Sequence, residues 1–206
     1  MPRLVSSRPS DPRYAPSVSA SDILQFWFGE PGSADYLRPR SLWFIKSDET
    51  DRAIATRFGP AVEAALIGQH DDWAATPRGA LALVILLDQF TRNIFRGTPR
   101  AFAGDARALA LATRLVDTAR DLALAPVERW FVYMPLEHSE RLLDQYESVR
   151  LFERLAADGL DAPLEWARRH FDVIRQFGRF PHRNAILGRE STPEEIEFLK
   201  QPGSGF

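Results

Sequence analysis

Three polar stretches of this sequence carry the kinds of side chain that move protons or hold anions. The first is Asp88-Gln89-Phe90-Thr91-Arg92-Asn93-Ile94-Phe95-Arg96. At about 100° per residue on an α-helix, Asp88, Gln89, Arg92, Asn93 and Arg96 share one arc of about 140°. The preceding turns put Leu81, Ala82, Ile85 and Leu86 on that arc, while Leu83, Leu87, Phe90 and Ile94 keep the other side apolar. The helix therefore begins buried all round and ends with one polar face. Either that face emerges into solvent, with Asp88 and Arg92 as a routine i,i+4 pair and the arginines near the negative end of the helix dipole, or it lines a cavity. In the second case Asp88, Gln89, Arg92, Asn93 and Arg96 bind a ligand through hydrogen bonds.

The second stretch is Tyr133-Met134-Pro135-Leu136-Glu137-His138-Ser139-Glu140-Arg141. A proline inside a helical run frees a carbonyl and bends the axis. Glu137 and His138 follow at once, and a carboxylate and an imidazole at a kink suit a general base or a metal ligand. The plainer alternative is a solvated charged face of Glu137, Glu140, Arg141 and Asp144. The third stretch, Gly178-Arg179-Phe180-Pro181-His182-Arg183-Asn184, follows a helix end. Gly178 suits the residue after a C-cap, and Pro181 stiffens a loop displaying Arg179, Arg183 and Asn184 as an anion grip, with His182 as a further donor or a proton shuttle. Its alternative is a solvated basic loop over a helix C-terminus. His70 and His170 read as structural. The His-Glu-x-x-His zinc pattern, the Gly-rich phosphate loop, the Gly-x-Ser-x-Gly elbow and the EF-hand loop are all missing, so no metal site and no cofactor is assigned.

The elements that must position these residues read as helices throughout. Thr76-Pro77, Thr98-Pro99 and Thr192-Pro193 each place a capping threonine before a proline suited to the first helical position. Glu195 completes a capping box with Thr192. The pattern predicts seven helices: 21–28, 48–67 with a potential break at Gly59-Pro60, 77–95, 105–119 with a potential earlier start at Pro99, 126–158 with a kink or break at Pro135, 163–177 and 193–200. No stretch alternates long enough to make a strand. Phe26-Trp27-Phe28, Trp43-Phe44 and Trp130-Phe131 set large rings side by side, which serves a layered helical core or the wall of a ligand groove. Residues 1–18, with four prolines, are assigned as a disordered tail, 19–200 as one all-α domain, and 201–206 as a C-terminal tail. Short connections predict an antiparallel helical array.

Composition narrows the classes. With 26 basic against 28 acidic residues and a net charge of −2, no global field draws the chain to nucleic acid or an anionic membrane. No cysteine is present, which removes disulfides, thiolate metal sites and a cysteine nucleophile, and fits a reducing, cytoplasmic setting. The longest apolar run, Ala80 to Leu87, is far short of the roughly 20 residues of a membrane span.

Taken together, Asp88 to Gly97, Pro135 to Glu140 and Gly178 to Asn184, with the opening Ile23-Leu24-Gln25-Phe26-Trp27-Phe28, resemble the bacterial family called domain of unknown function 924. The resemblance runs from about Ser21 to Lys200. It implies an all-α, tetratricopeptide-like arrangement and supplies no catalytic residues, although no 34-residue repeat pattern is visible here. Three functions follow from the residues. The first is a helical domain binding a small anionic ligand or an acidic peptide through Arg92, Arg96, Arg179 and Arg183. The second is a hydrolase with Glu137 or His138 as base and His182 as acid, in one variant assisted by a metal on Glu137, His138, His182 and Asp88. The third is a protein-interaction scaffold. The first two require the three stretches to meet in space.

Overall fold

The computed structural model describes residues 18–205; the assigned N-terminal tail, up to residue 17, and Phe206 fall outside the described residues. The described residues contain no β-strand. Their helices are α1 (Ala20–Phe28), α2 (Asp48–Leu66), α3 (77–94), α4 (Asp105–Asp117), α5 (Pro126–Glu137), α6 (Leu142–Ala157), α7 (Leu164–Phe177), α8 (Asn184–Leu187) and α9 (Pro193–Leu199), joined by loops and short 3₁₀ turns. No helix among them is long and apolar enough to cross a membrane.

Of the three predicted threonine caps, Thr76 and Thr192 form and Thr98 makes no side-chain cap bond, while α1 opens on Ser19, which the sequence reading did not single out. The Ser19 hydroxyl accepts from the Asp22 N–H and the Asp22 carboxylate accepts from the Ser19 N–H, opening α1. The Thr76 hydroxyl accepts from Gly79 N–H at α3, and Thr192 with Glu195 forms the box at α9. Two predicted interruptions fall elsewhere. Gly59-Pro60 leaves α2 unbroken. Pro135 lies within α5, and the chain leaves the helix at His138, so the predicted 126–158 run becomes α5 and α6 separated by residues 138–141. Pro99 to Phe102 makes a 3₁₀ turn of its own before α4. The short α8 has no counterpart in the sequence reading.

Helix α3 is the axis of the domain. Every residue from Gly79 to Thr91 is buried, and α1, α2, α4 and α5 pack around it. Most of the paired aromatics join this core: Trp27, Phe28, Trp43 and Phe131 meet edge to face at centroid distances of 4.9–6.1 Å. Phe44 faces outward and stacks on Trp130 at 5.1 Å. Helices α6 and α7 pair beside α5. A second, smaller apolar cluster of Val173, Ile174 and Phe180 lies beneath Phe177 and Phe198. Within the segment assigned as a C-terminal tail, Gly203 accepts a hydrogen bond from Arg169 at 3.0 Å, and the Ser204 hydroxyl donates to Leu199 at 3.1 Å.

Two backbone features bring α3 and α4 together. Residues Ile85–Phe90 of α3 form a π-helical turn, in which N–H groups bond five residues back. Such a turn leaves carbonyls for other donors. Leu87 takes the Thr91 hydroxyl at 2.8 Å, and Asp88 takes the Arg92 guanidinium at 2.7 Å. Gly104, at the N-cap of α4, then lies directly on the turn: a Cβ there would sit 2.1 Å from the Leu87 carbonyl oxygen. Gly104→Ala must push α4 away from α3. Chemical denaturation should show a loss of about 2 kcal/mol or more; a change below about 0.5 kcal/mol would refute the close approach.

Candidate functional site

Asp88 is fully buried at the π turn. Its Oδ1 lies 3.1 Å from Arg92 and 2.7 Å from His138 Nδ1, and its Oδ2 accepts from Gln89 at 2.5 Å. Burial pushes the Asp88 carboxyl up, but Arg92 and His138 outweigh it and hold it below the usual carboxylate range. The carboxylate is thus ionised. Arg92 reaches on to Asp105 at the first turn of α4, with two parallel bonds of 2.9 and 3.1 Å. Asp105 Oδ2 is also the carboxylate facing Arg183, at 3.8 Å.

Arg183 differs from the other arginines of the three stretches. The residue is 7% exposed, and its guanidinium lies over Phe180 at 4.4 Å and over Phe102 at 4.9 Å and donates no hydrogen bond to any described residue. Its Nε is sealed from solvent without a partner. Burial, then the nearby Arg92, lowers its pKa to about 10, which still leaves it charged at neutral pH.

His138 caps the C-terminus of α5, where its N–H bonds the Met134 carbonyl at 2.8 Å. Burial pushes the ring below its ordinary value, against the pull of Asp88. Because Asp88 accepts at Nδ1, that nitrogen carries the hydrogen and Nε2 keeps its lone pair. Nε2 has no hydrogen-bond partner among the described residues, in a side chain that is 12% exposed. Glu137 turns the other way and lies 2.9 Å from His170 Nδ1. His170 stands 6.1 Å from the His138 ring and 5.5 Å from Phe180, and Phe180 stands 5.6 Å from His182. The contacts therefore close a circuit: Asp88, His138, His170, Phe180, Arg183, Asp105, Arg92 and back to Asp88.

The remaining sequence candidates are held elsewhere. Asn93 and Arg96 both bond Asp51 in the first turn of α2, at 2.7–3.0 Å. The 140° arc thus splits, one side facing α4 and α5 and the other facing α2. Arg179 grips Glu195 at 2.6 and 2.8 Å, and Asn184 bonds Ser191 and the same Glu195, so this pair ties the loop to the cap of α9. Gln89 reaches only Asp88 and the Met134 sulfur. His182 lies near the circuit, but burial, with Arg183, His170 and His138, takes its pKa down to about 3. A ring that is neutral at neutral pH has no imidazolium proton to give, which weighs against the acid role drawn for it.

Sequence reading passed over Asp105, Phe102, Phe180 and the pairing of His170. Asp105 has the signal of any acidic residue opening a helix, and nothing local points it at Arg92. Among the described residues no group of three or more His, Asp or Glu converges as a metal site would require. Two surface clefts lie away from the circuit. One, of about 470 Å³, has Tyr146, Arg150, Glu153, Arg168, Phe171 and Asp172 on its walls; the other, of about 290 Å³, opens by Leu24, Trp73 and Arg78. The charges of the larger cleft are already matched, Arg168 with Glu153 at 3.1 Å and Arg150 with Glu147 at 2.5 Å.

The depressed His182 value makes stability depend on pH. Its folded pKa lies below the ordinary 6.5, so the unfolded chain binds more protons as pH falls. The contribution is complete above about pH 6.5 and is lost progressively below it. Urea unfolding should show wild-type stability falling between pH 7 and about pH 5, before most carboxylates titrate. His182→Gln should remove on the order of 1 kcal/mol of that fall. An identical pH dependence in the variant would sink the assignment.

Comparison with known proteins adds kinship. The family model described as "Bacterial protein of unknown function (DUF924)" matches residues 23–203. A solved structure of a protein of unknown function, ATU0120 from Agrobacterium tumefaciens, is similar at 36% sequence identity with a TM-score of 0.77, covering 88% of this chain and 96% of that one. No curated protein matches the sequence. A family model spanning most of the chain, together with a structural relative at this identity, establishes that the chain belongs to the bacterial family DUF924.

Proposed function

We propose that this domain binds a small carboxylate at Arg183. One observation carries the reading: Arg183 is only 7% exposed, and its guanidinium donates no hydrogen bond to any described residue. A buried cation in that state leaves desolvated donors without partners, at a cost of about 1–3 kcal/mol or more. A ligand that supplies two acceptor oxygens removes this cost and gains a bidentate, charge-assisted pair. The rings of Phe180 and Phe102 hold the guanidinium in place, so little freedom is lost on binding.

Charge selects a monoanion. Arg92 already satisfies Asp88 and Asp105, and Arg189 satisfies Glu140 at 2.7 and 3.0 Å. Arg92, Arg183 and Arg189 thus balance Asp88, Asp105 and Glu140 in formal charge, so Arg183 offers N–H donors and a monoanion adds the least excess negative charge. A dianionic phosphate would bring a second charge towards Asp88, Asp105 and Glu140. The slight exposure of Arg183 favours a small molecule over an acidic peptide, whose backbone would need a longer groove. The four arginines expected to bind an anionic ligand divide accordingly: Arg183 binds, while Arg92, Arg96 and Arg179 brace the fold.

Titration with acetate and with inorganic phosphate, followed by the ¹³C and ¹⁵N resonances of His138 and Arg183, tests this. Acetate should bind with Kd of about 1 mM, roughly −4 kcal/mol, and more tightly than phosphate at pH 7. Arg183→Gln should weaken acetate at least about tenfold, or 1.4 kcal/mol, while keeping the wild-type circular dichroism. Unchanged acetate affinity in that variant, or no acetate binding to the wild type, would reject the site.

A further inference from the structure

The Asp88–His138 pair has a chemistry that anion binding does not use. The imidazole is held from several sides. Asp88 fixes Nδ1 at 2.7 Å, the helix fixes the backbone through Met134, and Gln145 of α6 donates to the carbonyls of Glu137 and Ser139 at 2.7 Å each. Nε2 is the ring nitrogen left without a hydrogen-bond partner among the described residues, in a side chain that is 12% exposed. Glu137 is not available as a rival base, because its carboxylate lies on His170 at 2.9 Å. An oriented, neutral imidazole with a carboxylate behind it and a cation on the same circuit is the arrangement that general-base acyl transfer requires.

We infer that the site hydrolyses a carboxylic ester, with His138 Nε2 as the general base and Arg183 facing the carbonyl oxygen. The inference rests on the proposed function, because the carboxylate bound by Arg183 is then the product of the reaction. Nε2 removes a proton from water as the water oxygen bonds to the carbonyl carbon. The carbonyl π electrons move onto its oxygen, whose charge Arg183 meets. When the tetrahedral intermediate collapses, the bond between carbon and the alkoxy oxygen breaks. The alkoxide leaves with that electron pair and takes the proton back from Nε2. Ester and water become acid and alcohol, with nothing oxidised or reduced. Asp88 is a positioning residue: it keeps the hydrogen on Nδ1 and stabilises the imidazolium that forms. The titratable and charged groups facing the His138 ring are Asp88, Arg92, Glu137, His170 and His182.

Hydrolysis of 4-nitrophenyl acetate by the full chain, read as released nitrophenolate, tests the inference. Steady turnover should exceed that of free imidazole at equal concentration. It should rise with pH through a single ionisation below 6.5 and then level off. His138→Gln should lower kcat/KM by about 100-fold or more, and Arg183→Gln by about 100-fold, in proteins whose circular dichroism matches the wild type. A wild-type rate no faster than free imidazole overturns the inference, as does a stoichiometric burst without turnover, a rate that falls as pH rises from 5 to 8, or full activity in His138→Gln. The pH profile needs only the wild type, so a variant that fails to fold does not protect the idea. Acetate titration separates the two readings. Acetate binding through Arg183 without ester turnover refutes catalysis and keeps the binding site. No acetate binding refutes both.

Discussion

A carboxylate with no exposed surface has to be stabilised by what surrounds it, and Asp88 sits in the helix that α1, α2, α4 and α5 pack around. Removing an isolated charge from water costs several kcal/mol even after relaxation. Asp88 meets this by taking Arg92 and His138 on one oxygen and Gln89 on the other. Each partner then commits a further element. Arg92 draws Asp105 and with it the start of α4. His138 fixes the end of α5 and the loop to α6. The buried charge thus specifies how three helices meet, through directional bonds that apolar packing alone does not provide.

The π turn lets this happen where the apolar run from Ala80 to Leu87 ends. At this turn the Leu87 and Asp88 carbonyls accept from the side chains of Thr91 and Arg92 within the same helix. Arg92 Nη1 is therefore shared between the Asp88 carbonyl and Asp105, while Nη2 bonds Asp105. Gly104 contributes by lacking a side chain, since its backbone rests against Leu87 at a distance no Cβ allows. The geometry around Asp88 depends on a helix irregularity and a glycine acting together, on segments well separated in sequence.

The four arginines that the sequence offers as equivalent donors have unequal fates. Arg96 and Arg179 end in bidentate pairs with Asp51 and Glu195, and Arg92 is shared between two aspartates. In each, opposite charge and hydrogen bonds offset burial. Arg183 is instead flanked by two aromatic rings, which stabilise its charge and accept none of its N–H groups as a carboxylate would. That difference in partner, and not in residue type, separates a bracing arginine from one with donors to give.

The sequence by itself determined the helical class, most helix starts, the buried axis from Ala80 to Leu87 and the three stretches that hold the polar residues. These are local matters: a threonine before a proline, a period near 3.6 and an uninterrupted apolar run act over a few residues. It also placed the Asp88–Arg92 pair, because i,i+4 spacing suffices for that. Only the tertiary structure decided that Asn93 and Arg96 turn to Asp51, that Arg179 and Asn184 serve Glu195, that α5 ends at His138 instead of breaking at Pro135, and that Asp105 and Phe180 complete the surroundings of Arg183. Those outcomes depend on which charge lies nearest once the helices pack. Asp51 lies 45 residues from Arg96, and no local pattern records a proximity that packing alone creates.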